Sequence, residues 1–293
     1  MDATLTPVQR RLPVRGNELS IRDWPGAAGG RDFLLVHGLA SNAMTWDGVA
    51  AELSARGHHA VAVDQRGHGR SDKPETGYGF DDTTADIAAL IAQLGIERPV
   101  VVGHSWGANV ALQLAADYPD AARGIVLVDG GFIERSGDST WEQAEADMRP
   151  PDIDGTPVER FLGFVRNWPN LKDIYSPEIE QMVLSNFDVR DGKIYRPLSI
   201  PNHMKIARAI YDQKPSELLR RVALPVLIVP AMREAAGEAE RRWQEYREQG
   251  LAAIRRVRPD IRVQPMLDSI HDVPVQRPAE LAQMIAEFAG ELA

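Results

Sequence analysis

The chain has no cysteine among its 293 residues, which removes disulfides, thiolate metal sites and a cysteine nucleophile together. It also lacks any excess of positive charge. Lys and Arg number 33 against 42 Asp and Glu, a formal net charge of −9, so no field concentrates nucleic acid or anionic lipid. No apolar run approaches the roughly 18 residues of a membrane span, and Met1 to Pro25 lacks the apolar centre of a secretory signal. These absences describe a soluble chain, expected in the cytoplasm, with neither nucleic acid nor membrane as a partner. What is present suffices for a large core: 44% of the residues are hydrophobic, and a chain of this length buries most of its apolar surface.

Leu12 to Arg15 and Glu18 to Trp24 read as a β-hairpin turning at Gly16-Asn17. Beyond it, short β-branched runs alternate with amphipathic stretches: Phe33 to Val36, then Ala43 to Ala55; Ala60 to Val63, then Asp82 to Leu94; Val100 to Val102, then Ala108 to Asp117; Ile125 to Val128. Continuous apolar runs separated by helices indicate parallel strands covered on both faces, an α/β sheet. From Phe132 to Pro215 the alternation stops, and Trp141, Phe161, Phe164, Trp168 and Tyr175 appear among Pro, Gly and Asp. The reading is one core domain, residues 1–131 and 216–293, interrupted by a mostly helical insertion, 132–215. The alternation resumes with a strand at Pro225 to Val229, a helix at Glu238 to Val257, a strand at Ile261 to Leu267 and a last helix at Pro278 to Leu292. Arg241, Arg242, Arg255 and Arg256 lie among Glu residues on that long helix, which reads as a solvated face. No repeat and no low-complexity tract interrupts the pattern.

All carboxyl ends of a parallel sheet lie on one edge, where ligands bind. His58 and His59 precede a strand and fall on the opposite edge. Gly103-His104-Ser105-Trp106-Gly107 follows one strand and opens the next helix, so Ser105 sits on a sharp turn above a helix amino terminus suited to developing negative charge. A serine hydroxyl needs a base oriented by a carboxylate. His271, after the last strand, is the base. Two strand-end acids compete to orient it: Asp129, the first choice, and Glu234. The Leu39 and Trp106 amides would form the oxyanion hole, with His37-Gly38 turning the first loop. Asp64 to Ser71 is polar and glycine-rich but lacks the ending of a phosphate loop, so it reads as a tie between loops. Candidate pocket walls are His37, Trp46, His104, Trp141, Phe164, Trp168 and His203, each equally compatible with plain core packing.

Taken together, His37-Gly38, Asp64-x-Arg66-Gly67-x-Gly69-x-Ser71, the elbow around Ser105, and His271-Asp272-Val273-Pro274 followed by Arg277-Pro278 resemble the α/β-hydrolase fold family over nearly the whole chain. The resemblance implies an eight-stranded, mostly parallel sheet flanked by helices, with strand 2 antiparallel and a cap inserted after strand 6. It implies a serine hydrolase that uses no cofactor and no metal. The strand at Val222 to Val229 departs from the family, ending in Ala231-x-x-Glu234 where Gly-x-x-Asp is common, which leaves the acid open. A second departure is Ile270, where a glycine often precedes the histidine. Ser105 stands where dehalogenases and epoxide hydrolases of the family carry Asp, against both chemistries. With aromatics in the insertion and no obvious cluster of positive charge, the expected partner is a hydrophobic ester or lactone cleaved through an acyl-serine. Hydrolysis of a carbon–carbon bond in a β-diketone-like compound, perhydrolysis of the haloperoxidase kind and a non-catalytic ligand-binding role are the alternatives. A homodimer is left open.

Overall fold

A computed structural model describes residues 6–137, 139–168, 171–235 and 237–292. The first two strands, β1 (Val8–Val14) and β2 (Asn17–Trp24), form the expected hairpin. Its turn is Arg15-Gly16 rather than Gly16-Asn17: both residues have positive φ, 48° and 80°, and Val14 pairs with Asn17, the signature of a two-residue primed turn. Then follow β3 (Asp32–Val36), α1 (Asp47–Ala55), β4 (His59–Val63), α2 (Phe80–Leu94), β5 (Val100–His104), α3 (Trp106–Asp117) and β6 (Gly124–Val128).

Between β6 and the next strand of the sheet, the chain builds α4 (Trp141–Met148), β7 (Thr156–Pro157), α5 (Val158–Arg166), α6 (Pro177–Leu184), β8 (Asp188–Arg190), β9 (Lys193–Tyr195) and α7 (Ile200–Asp212). This stretch is not helical throughout. Strands β7, β9 and β8 form a small antiparallel sheet, because Asp191-Gly192, both at positive φ, make the same kind of tight hairpin. The chain returns through α8 (Pro215–Arg221), β10 (Val226–Val229), β11 (Ala231–Met232), α9 (Glu238–Val257), β12 (Arg262–Val263), β13 (Met266–Leu267), α10 (Val273–Gln276) and α11 (Pro278–Gly290).

The main sheet has eight strands in the order β1-β2-β4-β3-β5-β6-β10-β12. β2 runs antiparallel to both its neighbours, β1 and β4; the β4-β3-β5-β6-β10-β12 ladder is parallel. Successive residues of a strand face opposite sides, and two cores result. Leu34, Val36, Val101, Ile125 and Leu127 pack against α2, α3, α8 and α9. Phe33, Leu35, Val100, Val102, Val126 and Val128 pack against α1 and α11. Strands β5 and β6 are buried from end to end, so the residues that follow them are held from both faces. The single strand expected at Ile261 to Leu267 is split at Gln264-Pro265, since proline has no N–H to give the ladder. Its second half, β13, pairs with β11 beyond the sheet edge and delivers the segment leading to His271. No helix among the described residues is long and apolar enough to cross a membrane.

Candidate active site

Ser105 is the hinge between β5 and α3. Its φ of 53° and ψ of −119° cost a residue with a Cβ on the order of 1–3 kcal/mol, and the surroundings enforce them. A Cβ on Gly103 would lie 2.0 Å from the Gly107 carbonyl oxygen, and one on Gly107 would lie 2.1 Å from the Val36 carbonyl oxygen. Glycine at both positions lets β5, α3 and β3 approach this closely. The Ser105 N–H donates to Val128 O at 2.9 Å, tying the turn to the end of β6. Among the described residues the Ser105 hydroxyl makes no hydrogen bond, and it lines a cavity of about 400 Å³ with His271.

Asp129 ends β6 with a φ of 46°. Its carboxylate is buried and fully engaged: Oδ2 meets His271 Nδ1 at 2.6 Å, and Oδ1 accepts the Ala231 N–H at 2.9 Å and the guanidinium of Arg247. Burial opposes the charge on Asp129, but the His271 hydrogen bond and the His271 and Arg247 charges outweigh it and hold the carboxyl below its ordinary value. The converse applies to His271. Burial opposes protonation, but the hydrogen bond and charge of Asp129, with Asp272 beside it, raise the imidazole above its usual range, while Arg247 pulls the other way. Nδ1 donates to Asp129, which leaves Nε2 as the proton acceptor. Glu234 does not take this place: it is exposed on the segment after β11, while His271 is held by Asp129.

Leu39 and Trp106 both line the cavity. Trp106 is the first residue of α3, where the N–H has no partner within the helix, and among the described residues the Leu39 N–H has no acceptor either. The Leu39 loop is fixed from below. His37 Nδ1 donates to Gly38 O at 2.7 Å while its Nε2 accepts the Gln65 N–H at 3.1 Å. His68 Nδ1 donates to Arg66 O and its Nε2 accepts the Ala40 N–H at 3.2 Å. Burial keeps both neutral, pushing His37 down to about 4 and His68 to about 3.

Residues 33–171 match the family model described as alpha/beta hydrolase fold. Over 284 residues, covering 96% of this chain and 95% of the relative, the sequence is 33% identical to a 2-(acetamidomethylene)succinate hydrolase of Mesorhizobium japonicum. The chain belongs to the alpha/beta hydrolase fold family. This hydrolase also superposes on the crystal structure of E-2-(acetamidomethylene)succinate hydrolase with a TM-score of 0.77 at 28% identity, over 97% of this chain and 99% of that one. Its likeness to the thioesterase domain from the curacin biosynthetic pathway is one of fold: TM-score 0.71, 22% identity, 95% of this chain and 98% of the other.

The candidate walls of the alpha/beta hydrolase divide sharply. Phe164, Trp168 and His203 line a second cavity of about 1080 Å³, bounded also by Leu39 and Asp272. Four others are displaced from both cavities. Trp46 is wholly buried in the α1 face of the core, His37 is the loop brace described above, and Trp141 packs edge-on against Tyr211 at 5.4 Å. His104 is buried with its ring 4.8 Å from that of His271 and Nε2 donating to His271 O at 2.8 Å. Burial pushes it down to about 4, so it is a neutral neighbour of the base. The Asp64 segment is the expected tie: Asp64 accepts the Ala43 and Arg70 N–H groups at 2.7 and 2.9 Å, and Arg66 is paired with Asp86.

The insertion is expected to bring aromatics and no cluster of positive charge; of the arginines at the site it supplies Arg135, and the core segment from β11 into α9 supplies the other two. Arg135, Arg233 and Arg247 all line the smaller cavity, with Trp243, Gln244 and Glu240. The four arginines read as a solvated face of α9 are exposed, but Arg247 on the same helix is buried. Its spacing carried a signal: Trp243, Arg247, Leu251 and Ile254 fall on one helical face, and Leu251 and Ile254 are core. A charge at a core-facing position requires a buried partner.

Proposed function

We propose that this alpha/beta hydrolase cleaves a carboxylic ester or lactone through an acyl-serine, with Ser105 as nucleophile, His271 as base and Asp129 as the orienting acid. The observation that carries the reading is the 2.6 Å bond between His271 Nδ1 and Asp129 Oδ2, on the wall of the cavity that Ser105 also lines. Substrate binding tightens the contact between Ser105 Oγ and His271 Nε2, as catalytic hydrogen bonds left long in a free enzyme commonly do. Oγ attacks the carbonyl carbon and its proton passes to Nε2. The oxygen that becomes negative lies between the Leu39 and Trp106 N–H groups, each worth about 10²–10³ in rate. Collapse breaks the bond to the alcohol, which leaves with the proton from His271, and water repeats the sequence to free Ser105. The insertion, acting as a cap, offers Phe164, Trp168 and His203 to an apolar group of the substrate.

A second reading keeps the same residues and changes the bond broken, since the Mesorhizobium japonicum relative is named for hydrolysis of 2-(acetamidomethylene)succinate. Labelling of the intact protein with a fluorophosphonate, with Ser105→Ala as control, tests the acyl-serine. Modification confined to Ser105 is expected, and a folded protein that stays unlabelled rejects the mechanism. Turnover of aryl esters of graded chain length, set against a β-diketone and 2-(acetamidomethylene)succinate, then separates the bonds.

A further inference from the structure

The charge on the cavity wall does not balance. Arg247 is committed to Asp129 and Arg233 to Glu240. Arg135, by contrast, has no carboxylate within ion-pair distance among the described residues. The acid nearest it in sequence, Glu134, is held elsewhere, by Lys214 at 3.5 Å and by the Ser216 hydroxyl at 2.7 Å. The Arg135 guanidinium lies over the Trp243 ring, 5.3 Å from its centroid, and faces the same cavity as Ser105. Burial pushes its pKa below the ordinary arginine value, only partly opposed by Tyr246 and Asp147. A desolvated cation beside a reactive serine is costly to keep without an anion, and a planar guanidinium fits a carboxylate at two points.

The other side of the oxyanion amide differs. Leu39 also bounds the larger cavity, whose walls include Phe161, Leu171, Met182 and Phe187, and whose two arginines differ from Arg135: Arg196 is paired with Asp154 at 3.5 Å, and Arg160, over the Phe164 ring, is exposed to solvent. The geometry points to a substrate that carries a carboxylate held by Arg135 on one side of the scissile carbonyl and an apolar arm in the larger cavity on the other. This rests on the hydrolase reading of Ser105 and narrows it to small acidic esters. The carboxylate sits on the acyl half or on the leaving group, and the two arrangements give different substrates.

The test uses the full chain and three esters: phenyl pentanoate, monophenyl glutarate with the carboxylate on the acyl side, and 4-(pentanoyloxy)benzoate with it on the leaving side. One of the two acids is expected to exceed phenyl pentanoate in kcat/KM by about 10- to 100-fold, the worth of a charge-assisted hydrogen bond. Arg135→Gln should bring that ratio close to one, chiefly through KM, and Arg135→Lys should recover part of it. Equal turnover of all three by the wild type, or a preference that survives Arg135→Gln, overturns the assignment. Calorimetric binding of the same compounds to Ser105→Ala reads the anion site without turnover. If no ester is cleaved and Ser105 resists fluorophosphonate, the mechanism fails while selective binding of an acid still supports the arginine site; indifferent binding rejects it.

Discussion

The two halves of the smaller cavity are built by different means. One half is the edge of the sheet: Ser105, Asp129 and the Leu39 and Trp106 amides follow β5, β6 and β3, strands buried on both faces. The other half is a wall of Arg135, Trp243, Gln244 and Arg247, carried by a short turn after β6 and by α9. The first half is fixed by ladders and by glycines that admit no Cβ. The second is held by ion pairs and a ring stacked on a guanidinium, so its side chains rather than its backbone set the chemistry of the pocket. On the proposed reading, reaction type belongs to the sheet edge and substrate choice to the wall of Arg135 and α9, and the halves meet at Asp129, which bonds to both.

The largest expected effect breaks the first half alone. Asp129→Asn keeps the volume and loses the charge that orients His271, and the analogous change in serine proteases lowers kcat by about 10⁴. Glu234→Gln, on an exposed carboxylate at the same edge, should leave kcat within about twofold, as surface changes remote from the chemistry do. Steady-state kinetics on one aryl ester decide it. A collapse with Glu234→Gln and normal turnover with Asp129→Asn would reverse the assignment.

A smaller effect is expected where the halves join. Arg247→Met leaves Asp129 Oδ1 with the Ala231 N–H alone and removes a positive charge that lowers the His271 pKa. His271 must be neutral to act as base, so activity falls as pH drops through its pKa, which already lies above the ordinary imidazole value because of Asp129. Removing Arg247 moves this acidic limb to higher pH. The groups facing His271 are His104, Asp129, Arg247 and Asp272, and of these His104 is neutral through the range. A drop in kcat of about 10- to 100-fold is expected with the shift, with Arg247→Lys restoring the limb. A profile unmoved in Arg247→Met means that the pair only packs.

The same division explains what the sequence made legible. The strand runs, the elbow and His271 could be read because each depends on local chemistry: β-branched residues in series, glycine beside serine, a histidine after the last strand. Asp129 and Glu234 stayed rivals because both follow strands at the correct edge. What separates them is the pairing of β11 with β13, a long-range contact that carries the chain past the sheet and leaves Glu234 exposed. Arg247 was hidden because α9 is highly charged, and one buried arginine among exposed ones shows only when Leu251 and Ile254 are known to face the core. Arg135 had no signal, since its placement depends on the three-dimensional course of the turn after β6. The β8–β9 hairpin carried a turn signal at Asp191-Gly192, which reading the insertion as mostly helical passed over.

The smallest expected effect compares the two edges of the sheet through their histidines. At the site edge His37, His68 and His104 are held neutral by burial, to about 4, 3 and 4. The unfolded chain takes up protons near 6.5 while the folded one does not, so their contribution is present above that value and is lost as pH falls through it. Between about pH 7.5 and 6 this amounts to about 1 kcal/mol for each imidazole. At the opposite edge His59 lies between Asp23 and Asp32, at 2.9 and 2.8 Å, and its pKa is raised, chiefly by the Asp23 hydrogen bond. Its contribution is present below the unfolded value and lost as pH rises through the folded one, so His59 opposes the three buried imidazoles across neutrality, while His58 beside it, lowered chiefly by burial, acts with them. Urea unfolding at several pH values separates them by slope rather than by absolute stability. His37→Gln should flatten the fall in stability on acidification, and His59→Gln should steepen it, because only the second variant removes a group that gains from protonation in the folded state.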